Sequence, residues 1–115
     1  MSFWRNIFGG ADEDAETVAA VNVENAVRKA GRAEGRVQGV GFRVFVRNSA
    51  RDCGVTGWVK NMSDGSVTME LQGAEQIIEQ LVENIKMGRG RIKVNELELA
   101  DLPVAEGEKG FAIRK

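Results

Sequence analysis

The sequence contains no histidine and a single cysteine, Cys53, among its 115 residues. Without histidine, catalysis by an imidazole general base is excluded, and a zinc site made of the usual ligands is not expected. A lone cysteine cannot form an internal disulfide, which fits a reducing compartment. No apolar run approaches the roughly 18 residues of a transmembrane helix, and no signal-peptide pattern is found. These absences predict a soluble, cytoplasmic protein without a bound metal.

An excess of charge of one sign is also lacking. Lysine and arginine total 16 and aspartate and glutamate 17, so the formal net charge is -1. This balance creates no global field that would attract nucleic acid or an acidic membrane, so any anion site must be local. The length, with 43% hydrophobic residues, suffices for one compact domain and is too short for two.

One stretch is a candidate anion site: it runs from Gly35 to Arg43 and reads Gly-Arg-Val-Gln-Gly-Val-Gly-Phe-Arg. Glycine permits positive φ and close approach of a ligand, because it has no Cβ. A helix that starts near Phe42 would offer the unpaired N–H groups of its first turn and the positive end of its dipole. Arg43 could bind two oxygen atoms with its planar guanidinium. The stretch predicts a phosphate or carboxylate site formed by Val37, Gln38, Gly39, Val40, Gly41, Phe42 and Arg43.

Two familiar phosphate-binding motifs do not match this stretch. A Walker loop needs a lysine followed by serine or threonine, and here the residues are Phe42 and Arg43. A dinucleotide-binding fingerprint that begins at Gly39 would need glycine where Val44 stands. From the residues alone, a tight strand-to-helix turn that merely needs glycine is an equally good interpretation.

Periodicity predicts two helices and five strands in the rest of the chain. The helices show apolar residues at spacings of three and four and are followed by a glycine. The strands show alternation, and an Asp-Gly pair between two of them is typical of a hairpin turn. A change of alternation phase in the fourth strand predicts a β-bulge. The helices are predicted at 42–53 and 74–87, and four of the strands at 55–61, 66–71, 92–99 and 111–113; residues 32–35 are predicted to be the end of the first strand.

The order β-α-β-β-α-β, followed by a final strand, is typical of the α+β ferredoxin-like fold, a split βαβ sandwich. It predicts two helices on one face of an antiparallel sheet of four strands plus a short fifth. In this topology strands one and two are parallel with strand three between them, so their C-terminal ends lie at one edge. Asn61, at the end of strand two, is thereby expected beside the glycine-rich loop and Arg43. An arginine and a neutral amide beside backbone N–H groups suggest phosphate binding with a positioned water.

The stretch from Gly35 to Arg43 and the segment Gly57-Trp58-Val59-Lys60-Asn61 together resemble the acylphosphatase family. The Asp-Gly turn and the ending Phe-Ala-Ile-Arg add to a resemblance that covers residues 31–115. It implies hydrolysis of acyl phosphates, the mixed anhydrides of carboxylic and phosphoric acid, to carboxylate and inorganic phosphate, without metal or cofactor. It also implies that Arg43 holds the phosphoryl group and Asn61 orients the attacking water. The expected protein is a monomeric enzyme with a small-molecule acyl phosphate as substrate.

Residues 1–30 lie outside this resemblance and are expected to form a flexible extension ahead of a domain at 31–115. Four large apolar residues between 3 and 8 are followed by an acidic run at 12–16. The apolar segment is either a docking segment for a membrane or partner or a frayed tail. Residues 16–29 are either a short helix or a linker.

Two functions without catalysis stay open at the level of the sequence. One is a phosphate or acyl-phosphate binding module, similar to the acylphosphatase-like domain of larger carbamoyl-transferring maturation proteins. The other is a regulatory interaction domain that acts through the N-terminal segment. Loss of Arg43 or Asn61 would favour the binding module, and both residues are present.

Overall fold

The computed structural model describes residues 25–115. The apolar segment at 3–8 and the acidic run at 12–16 lie outside the described residues. In the part of the chain that is described, no helix is both long and apolar enough to cross a membrane.

Within residues 25–115, seven elements follow one another in the predicted order β-α-β-β-α-β-β. Their boundaries are β1 Ala26–Arg36, α1 Phe42–Asp52, β2 Thr56–Asn61, β3 Val67–Ala74, α2 Glu75–Met87, β4 Lys93–Leu102 and β5 Phe111–Arg114.

The five strands form one sheet with the spatial order β4-β1-β3-β2-β5. β3 pairs antiparallel with both β1 and β2, so these two flanking strands run parallel to each other. β5 adds to the outer edge of β2 in parallel orientation, which makes the sheet mixed. The ferredoxin-like prediction is confirmed, and β5 is the parallel member of an otherwise antiparallel sheet.

The core lies between the helices and one face of the sheet. β3 directs alternate residues toward the helices, and its Val67, Met69 and Leu71 are fully buried, as the alternation predicts. Each helix buries the apolar stripe that its spacing predicts. The buried stripe residues are Phe42, Val46, Ala50, Ile77, Ile78, Leu81 and Ile85.

β1 begins earlier than its sequence predicts. It starts at Ala26, ahead of the domain start expected at residue 31, and residues 26–29 form strand where a helix or a linker was expected. The strand has few large apolar residues because its neighbours fill the space: a Cβ at Gly31 would lie 3.1 Å from Cγ of Met69. The strand is defined by its backbone pairing with β3 on one side and β4 on the other, which apolar periodicity does not reveal.

The bulge predicted in β4 is confirmed and lies at Asn95. Glu34 of β1 pairs with Glu96 and Gly35 pairs with Val94, so Asn95 is the extra residue. Gly35 has φ 131°, and a Cβ there would lie 2.2 Å from the carbonyl oxygen of Lys93. Glycine is therefore required where β1 passes the bulge.

A buried arginine organises the sheet face that the helices leave open. Arg28, which is 5% exposed, donates from Nε to Oε1 of Glu70 at 2.8 Å. Its Nη1 and Nη2 donate to the two carboxylate oxygens of Glu108 at 2.8 and 3.1 Å. Nη1 also donates to Oε1 of Gln72 at 2.9 Å. Bidentate charge-assisted hydrogen bonds of this kind are among the stronger polar contacts in proteins.

The same network fastens the β4–β5 connection onto the sheet. Gln72 donates to the carbonyl oxygen of Ala105 at 2.9 Å and accepts from its N–H at 2.8 Å. The hydrogen bonds from Arg28 hold the pKa of Glu108 below its usual value of 4.5, although burial opposes this shift. The loop that precedes β5 is therefore held by the ion pair of Arg28 with Glu108 and by two hydrogen bonds between the Gln72 side chain and the backbone of Ala105.

We expect Glu108→Gln to be less stable than the unmodified protein at pH 7 by about 1–3 kcal/mol, because it removes a charged partner of a buried arginine. Since the folded-state pKa of Glu108 is depressed, its contribution is complete above pH 4.5 and is lost as the pH falls through the folded-state pKa. Urea unfolding at pH 7 and pH 3 measures the difference. Glu106→Gln, an exposed neighbour in the same loop, is the control. A difference that stays constant with pH would contradict the assignment.

Candidate active site

The glycine-rich loop, residues 37–41, joins the end of β1 to the start of α1. Gly39 has φ 77° and Gly41 has φ 83°, values that L-residues with a Cβ adopt rarely. Gly41 occupies the N-cap position of α1 in a left-handed conformation. The loop can therefore curl into the helix only because glycine stands at these two positions.

The N–H groups of Gln38 to Gly41 in this loop have no acceptor in the turns and side chains of the described residues. Within residues 25–115, no N–H from Gln38 to Gly41 donates to a backbone acceptor outside regular elements or to a side chain. The helix N-terminus has no side-chain cap and no acidic residue in its first turn. Helices normally satisfy these donors with a capping side chain, so their availability indicates an anion site.

Arg43 lies in the first turn of α1 and is half-buried. None of the ion pairs formed within residues 25–115 involves it. A cation at a helix N-terminus is disfavoured by the helix dipole, by about 0.3–1 kcal/mol at exposed positions. The guanidinium and the dipole thus concentrate positive potential at the place where the loop N–H groups are free.

Asn61 ends β2 and reaches the same edge of the sheet, because β1 and β2 run parallel on either side of β3. Its Oδ1 is buried and has no hydrogen-bond partner among the described residues. A buried acceptor without a partner costs about 1–3 kcal/mol, and folded proteins keep few of them. Such an acceptor is suited to a small polar ligand in the adjoining pocket.

A small pocket of about 150 Å³ brings these groups together. It is smaller than the roughly 300–1,000 Å³ of pockets for drug-sized ligands, so it suits a compact group such as phosphate. The pocket is lined by Val37, Gly39, Gly41, Phe42, Arg43, Val44, Asn61 and Ile113.

Most of the residues predicted from the sequence line this pocket, and two do not. Gln38 and Val40 are absent from its lining, while Val44 and Ile113 are lining residues that the sequence analysis missed. Ile113 arrives through the parallel pairing of β5 with β2, opposite Val59. Since local patterns do not specify that pairing, no signal in the sequence would have placed Ile113 there.

Gln38 has a structural contact that explains its position outside the pocket. Its Nε2 donates to the carbonyl oxygens of Met62 at 2.9 Å and Ser66 at 2.8 Å. These acceptors belong to the β2–β3 turn, the hairpin turn predicted at the Asp-Gly pair. The side chain therefore ties the glycine-rich loop to the strand end that carries Asn61.

The hairpin turn is itself held by charged hydrogen bonds. Oδ1 of Asp64 accepts from the hydroxyl and the N–H of Ser66 at 2.6 and 2.9 Å. Oδ2 accepts from Nη2 of Arg32 at 2.8 Å. The Ser66 donors, followed by Arg32, hold the pKa of Asp64 well below its usual range.

The pocket contains one cation, one neutral amide and several backbone donors, and no carboxylate lines it. In residues 25–115 no group of three or more histidine, cysteine, aspartate or glutamate side chains is placed to hold a metal ion. The arrangement can bind an oxyanion and position a small polar molecule beside it. It offers no side chain suited to accept a proton from water at neutral pH.

Fold and pocket together define a ferredoxin-like α+β domain with a small candidate anion pocket at one edge of its sheet. The model of the acylphosphatase family matches residues 29–113. The acylphosphatase of Clostridium beijerinckii is 44% identical over 88 residues, which cover 76% of this chain and 98% of that protein. The acylphosphatase of Bifidobacterium longum is 41% identical over 92 residues, 79% and 95% of the two chains. The chain belongs to the acylphosphatase family and is an enzyme of acyl phosphate hydrolysis.

Solved structures agree with this assignment. The crystal structure of acylphosphatase from Bacillus subtilis matches with a TM-score of 0.74 and 36% identity, over 77% of this chain and 99% of that one. Full-length HypF in its phosphate- and nucleotide-bound form matches with a TM-score of 0.71 and 31% identity. That match covers 78% of this chain and 12% of HypF, so it concerns a small part of a larger protein.

We expect Gln38→Met, which keeps the length of the side chain but cannot donate, to lower the free energy of unfolding by about 1–2 kcal/mol. The loop then loses its tie to the hairpin turn, and we expect phosphate to bind roughly 3- to 10-fold more weakly, about 1 kcal/mol. Calorimetric titration with inorganic phosphate measures this. Gln76→Met, on the exposed side of α2, is the matched control. Unchanged phosphate affinity in Gln38→Met would show that the loop keeps its shape without this tie.

Proposed function

We propose that the glycine-rich loop and Arg43 bind the phosphoryl group of an acyl phosphate and that Asn61 positions the attacking water. The observation that supports this most is the pocket shared by Arg43 and the buried, unpartnered Oδ1 of Asn61. Arg43 supplies a positive charge and a bidentate hydrogen-bond donor. Asn61 supplies an acceptor for a hydrogen bond from the water.

The proposed reaction needs little beyond charge stabilisation and orientation. The water oxygen attacks phosphorus, and the bond between phosphorus and the acyl oxygen breaks. The bonding electrons leave with the carboxylate, which needs no protonation because carboxylates are stable anions near pH 7. The water proton passes to a phosphoryl oxygen of the substrate, so the products are the carboxylate and inorganic phosphate. This route accounts for a pocket without a basic side chain.

The backbone donors have a specific role in this proposal. Gly39 and Gly41 line the pocket; in the proposed complex their N–H groups donate to equatorial phosphoryl oxygens, and the N-terminus of α1 adds its dipole. Val37 and Phe42 contribute through their backbones, because their side chains are 1% exposed and lie in the core. Gln38 acts through its contact with the hairpin turn, and Val40 supplies loop backbone between the two glycines.

A phosphate-binding module without turnover is the second candidate. The match to a small part of HypF, solved with phosphate and nucleotide, favours it. The paired presence of Arg43 and Asn61 in one pocket favours the enzyme, because a module that only binds phosphate has no use for an unsatisfied amide oxygen.

We also propose that the chain acts as a monomer in the cytoplasm. Both free edges of the sheet are protected: β5 is short, and β4 carries the exposed charges Lys93, Glu96, Glu98 and Asp101. Charged edges oppose the pairing of one sheet with another. A mass of two chains in light scattering would contradict the monomer.

We expect Arg43→Ala to weaken phosphate binding by about 1.5–3 kcal/mol, roughly 10- to 150-fold, because it removes a charge-assisted donor pair. Arg43→Lys should recover little, since lysine keeps the charge and loses the planar fork. Competitive inhibition of benzoyl phosphate hydrolysis by inorganic phosphate measures both.

Arg47→Ala is the control for net charge, because Arg47 lies one turn further along α1 and its Nε donates to Oδ1 of the neighbouring Asn48, outside the pocket lining. It should change phosphate inhibition by less than about threefold, as expected for a half-buried charge that lies outside the pocket lining. Near-normal phosphate affinity in Arg43→Lys would contradict bidentate binding.

We expect Asn61→Ala to lower turnover of benzoyl phosphate by about 100-fold or more, the usual cost of losing the orientation of a reactant. Phosphate inhibition should change little, because Arg43 and the loop N–H groups remain. The free energy of unfolding should not fall, since the substitution removes a buried acceptor that has no partner. Asn84→Ala, on the exposed side of α2, is the control.

Asn61→Asp separates the water-positioning role from a role in the hairpin turn. Aspartate suits turn positions as well as asparagine does, so a purely structural residue would tolerate it. A carboxylate beside the phosphoryl group should abolish turnover through repulsion while the protein stays folded. A folded and active Asn61→Asp enzyme would disprove the proposed role.

A further inference from the structure

The sheet face that the helices leave open contains a hollow of about 660 Å³. The β4–β5 connection covers one end of this face, where Ala105 is bound to Gln72 and Glu108 to Arg28. The hollow lies beyond the covered end and opens to solvent. The lining of this open-face hollow includes Ala30, Arg32, Trp58, Glu70, Glu98 and Ala100.

Strand register produces the open-face hollow. One row across β2, β3, β1 and β4 consists of Trp58, Glu70, Ala30 and Ala100 in turn. Side chains in such a row point to one face of the sheet, because opposite residues on neighbouring strands share a face. The two alanines are short, so the row is low over β1 and β4, and the larger Trp58 borders this low region. Since Trp58 is half-buried and Ala100 is exposed, apolar surface faces water here.

Two cations border the hollow on its β5 side. Lys60 lies opposite Arg114, and the guanidinium carbon of Arg114 lies 4.6 Å from the centre of the Trp58 ring. Among residues 25–115, neither cation forms an ion pair with a carboxylate. Exposed apolar surface rimmed by charged residues is typical of an interaction site. The sign of these two charges suits an occupant that is acidic next to its apolar part.

A groove between α1 and α2 is the strongest alternative docking surface. It has a volume of about 690 Å³, and its lining includes Ile77, Leu81 and Met87. Glu79 and Glu83 line it as well, whereas no lysine or arginine of residues 25–115 does. Like charges brought together at an interface are unfavourable. An acidic segment is therefore disfavoured in this helix groove.

The chain itself carries a segment that matches the open-face hollow. Residues 1–24 lie outside the described residues and lead to the start of β1 at Ala26. Their sequence has a group of large apolar residues followed, after a short spacer, by acidic residues. The apolar residues are Phe3, Trp4, Ile7 and Phe8, and the acidic ones are Asp12, Glu13, Asp14 and Glu16.

The connection is long enough for both contacts. The row that contains Lys60 lies six residues beyond Ala26 and two strands away from β1, a distance of about 22 Å at typical strand spacings. Ten residue steps separate Glu16 from Ala26 and span up to about 33–36 Å. Four steps separate Phe8 from the acidic run and span up to about 13–14 Å, and Ala30 lies about 12 Å from Lys60. The acidic run can thus lie beside the cations while the apolar residues occupy the hollow.

We propose that the apolar residues between 3 and 8 dock in the open-face hollow of the same chain, with the acidic run beside Lys60 and Arg114. Docking covers the apolar surface of Trp58 and Ala100 and provides the two cations with counter-ions. Because the segment is tethered, its effective concentration is high, and a modest apolar contact suffices. The hollow and the phosphate pocket have no lining residue in common, so docking is independent of the proposed function.

Amide NMR spectra of the full-length protein locate the contact. The unmodified chain is compared with a segment variant that carries Phe3→Ser, Trp4→Ser, Ile7→Ser and Phe8→Ser. We expect shift changes at residues 30–32, 58–60, 68–70 and 98–100, which form the hollow and its charged side. Changes confined to 49–53 and 76–87 would place the segment in the helix groove and overturn the proposal. Spectra that agree at all four expected stretches would overturn it as well.

Trp58 reports docking once it is the only tryptophan of the chain, in a Trp4→Phe background. In that background Phe3→Ser, Ile7→Ser and Phe8→Ser together should raise the quenching of Trp58 by acrylamide about twofold, because a covered indole becomes accessible when its apolar cover is lost. Unchanged quenching would contradict docking against Trp58.

Two matched substitutions distinguish the two surfaces. Ala100→Glu places a charge in the open-face hollow, and Asn84→Glu places the same charge in the helix groove, both at exposed positions. With Ala100→Glu, the serine substitutions should no longer alter quenching, a ratio of about 1, whereas Asn84→Glu should keep the twofold ratio. Loss of the ratio with Asn84→Glu alone would overturn the proposal. Thermal unfolding checks that both variants are folded.

Two other occupants give different results. If the segment docked on a second copy of the chain, light scattering would give the mass of two chains and quenching would depend on protein concentration. If it bound a lipid surface, the unmodified chain but not the segment variant would sediment with vesicles of phosphatidylcholine and phosphatidylglycerol. We expect a monomer that stays in the supernatant, and either of the other results would overturn docking within one chain.

Discussion

The antiparallel pairing of β3 with both β1 and β2 is the constraint on which the rest of the structure depends. It makes the two flanking strands parallel and brings their C-terminal ends to one edge of the sheet. The glycine-rich loop and Arg43 follow one strand, and Asn61 ends the other. The same central strand turns Val67, Met69 and Leu71 toward the helices, so one element organises both the core and the site.

The site contains several features that cost stability. Arg43 lies at the positive end of a helix dipole. Among residues 25–115, the buried Oδ1 of Asn61 has no hydrogen-bond partner and the N-terminus of α1 has no capping side chain. In the proposed function, a bound anion and a bound water compensate these costs. Strong contacts elsewhere offset these costs: Arg28 and Glu108 fasten the loop before β5, which carries Ile113 into the pocket.

Sequence patterns located much of the fold and of the site. The helical stripes, the hairpin turn and the bulge in β4 follow from periodicity and turn chemistry, which are local properties. The glycine-rich stretch indicated an anion site because positive φ and free N–H groups are also local. The start of β1 was missed, since Gly31 and Ala33 give no apolar alternation and the strand exists through its pairing with β3 and β4.

The sequence by itself therefore determined the order of the helices and strands, the candidate anion-binding loop and the resemblance that implies acyl phosphate hydrolysis. Only the tertiary structure decided which residues share the pocket. Ile113 lines the pocket because β5 pairs in parallel with β2. Gln38 lies outside the pocket because its side chain binds the carbonyl oxygens of the hairpin turn. The register that puts Trp58, Ala30 and Ala100 in one row was likewise decided by strand pairing. These are contacts between distant residues, and local propensity carries no information about which distant backbones will meet.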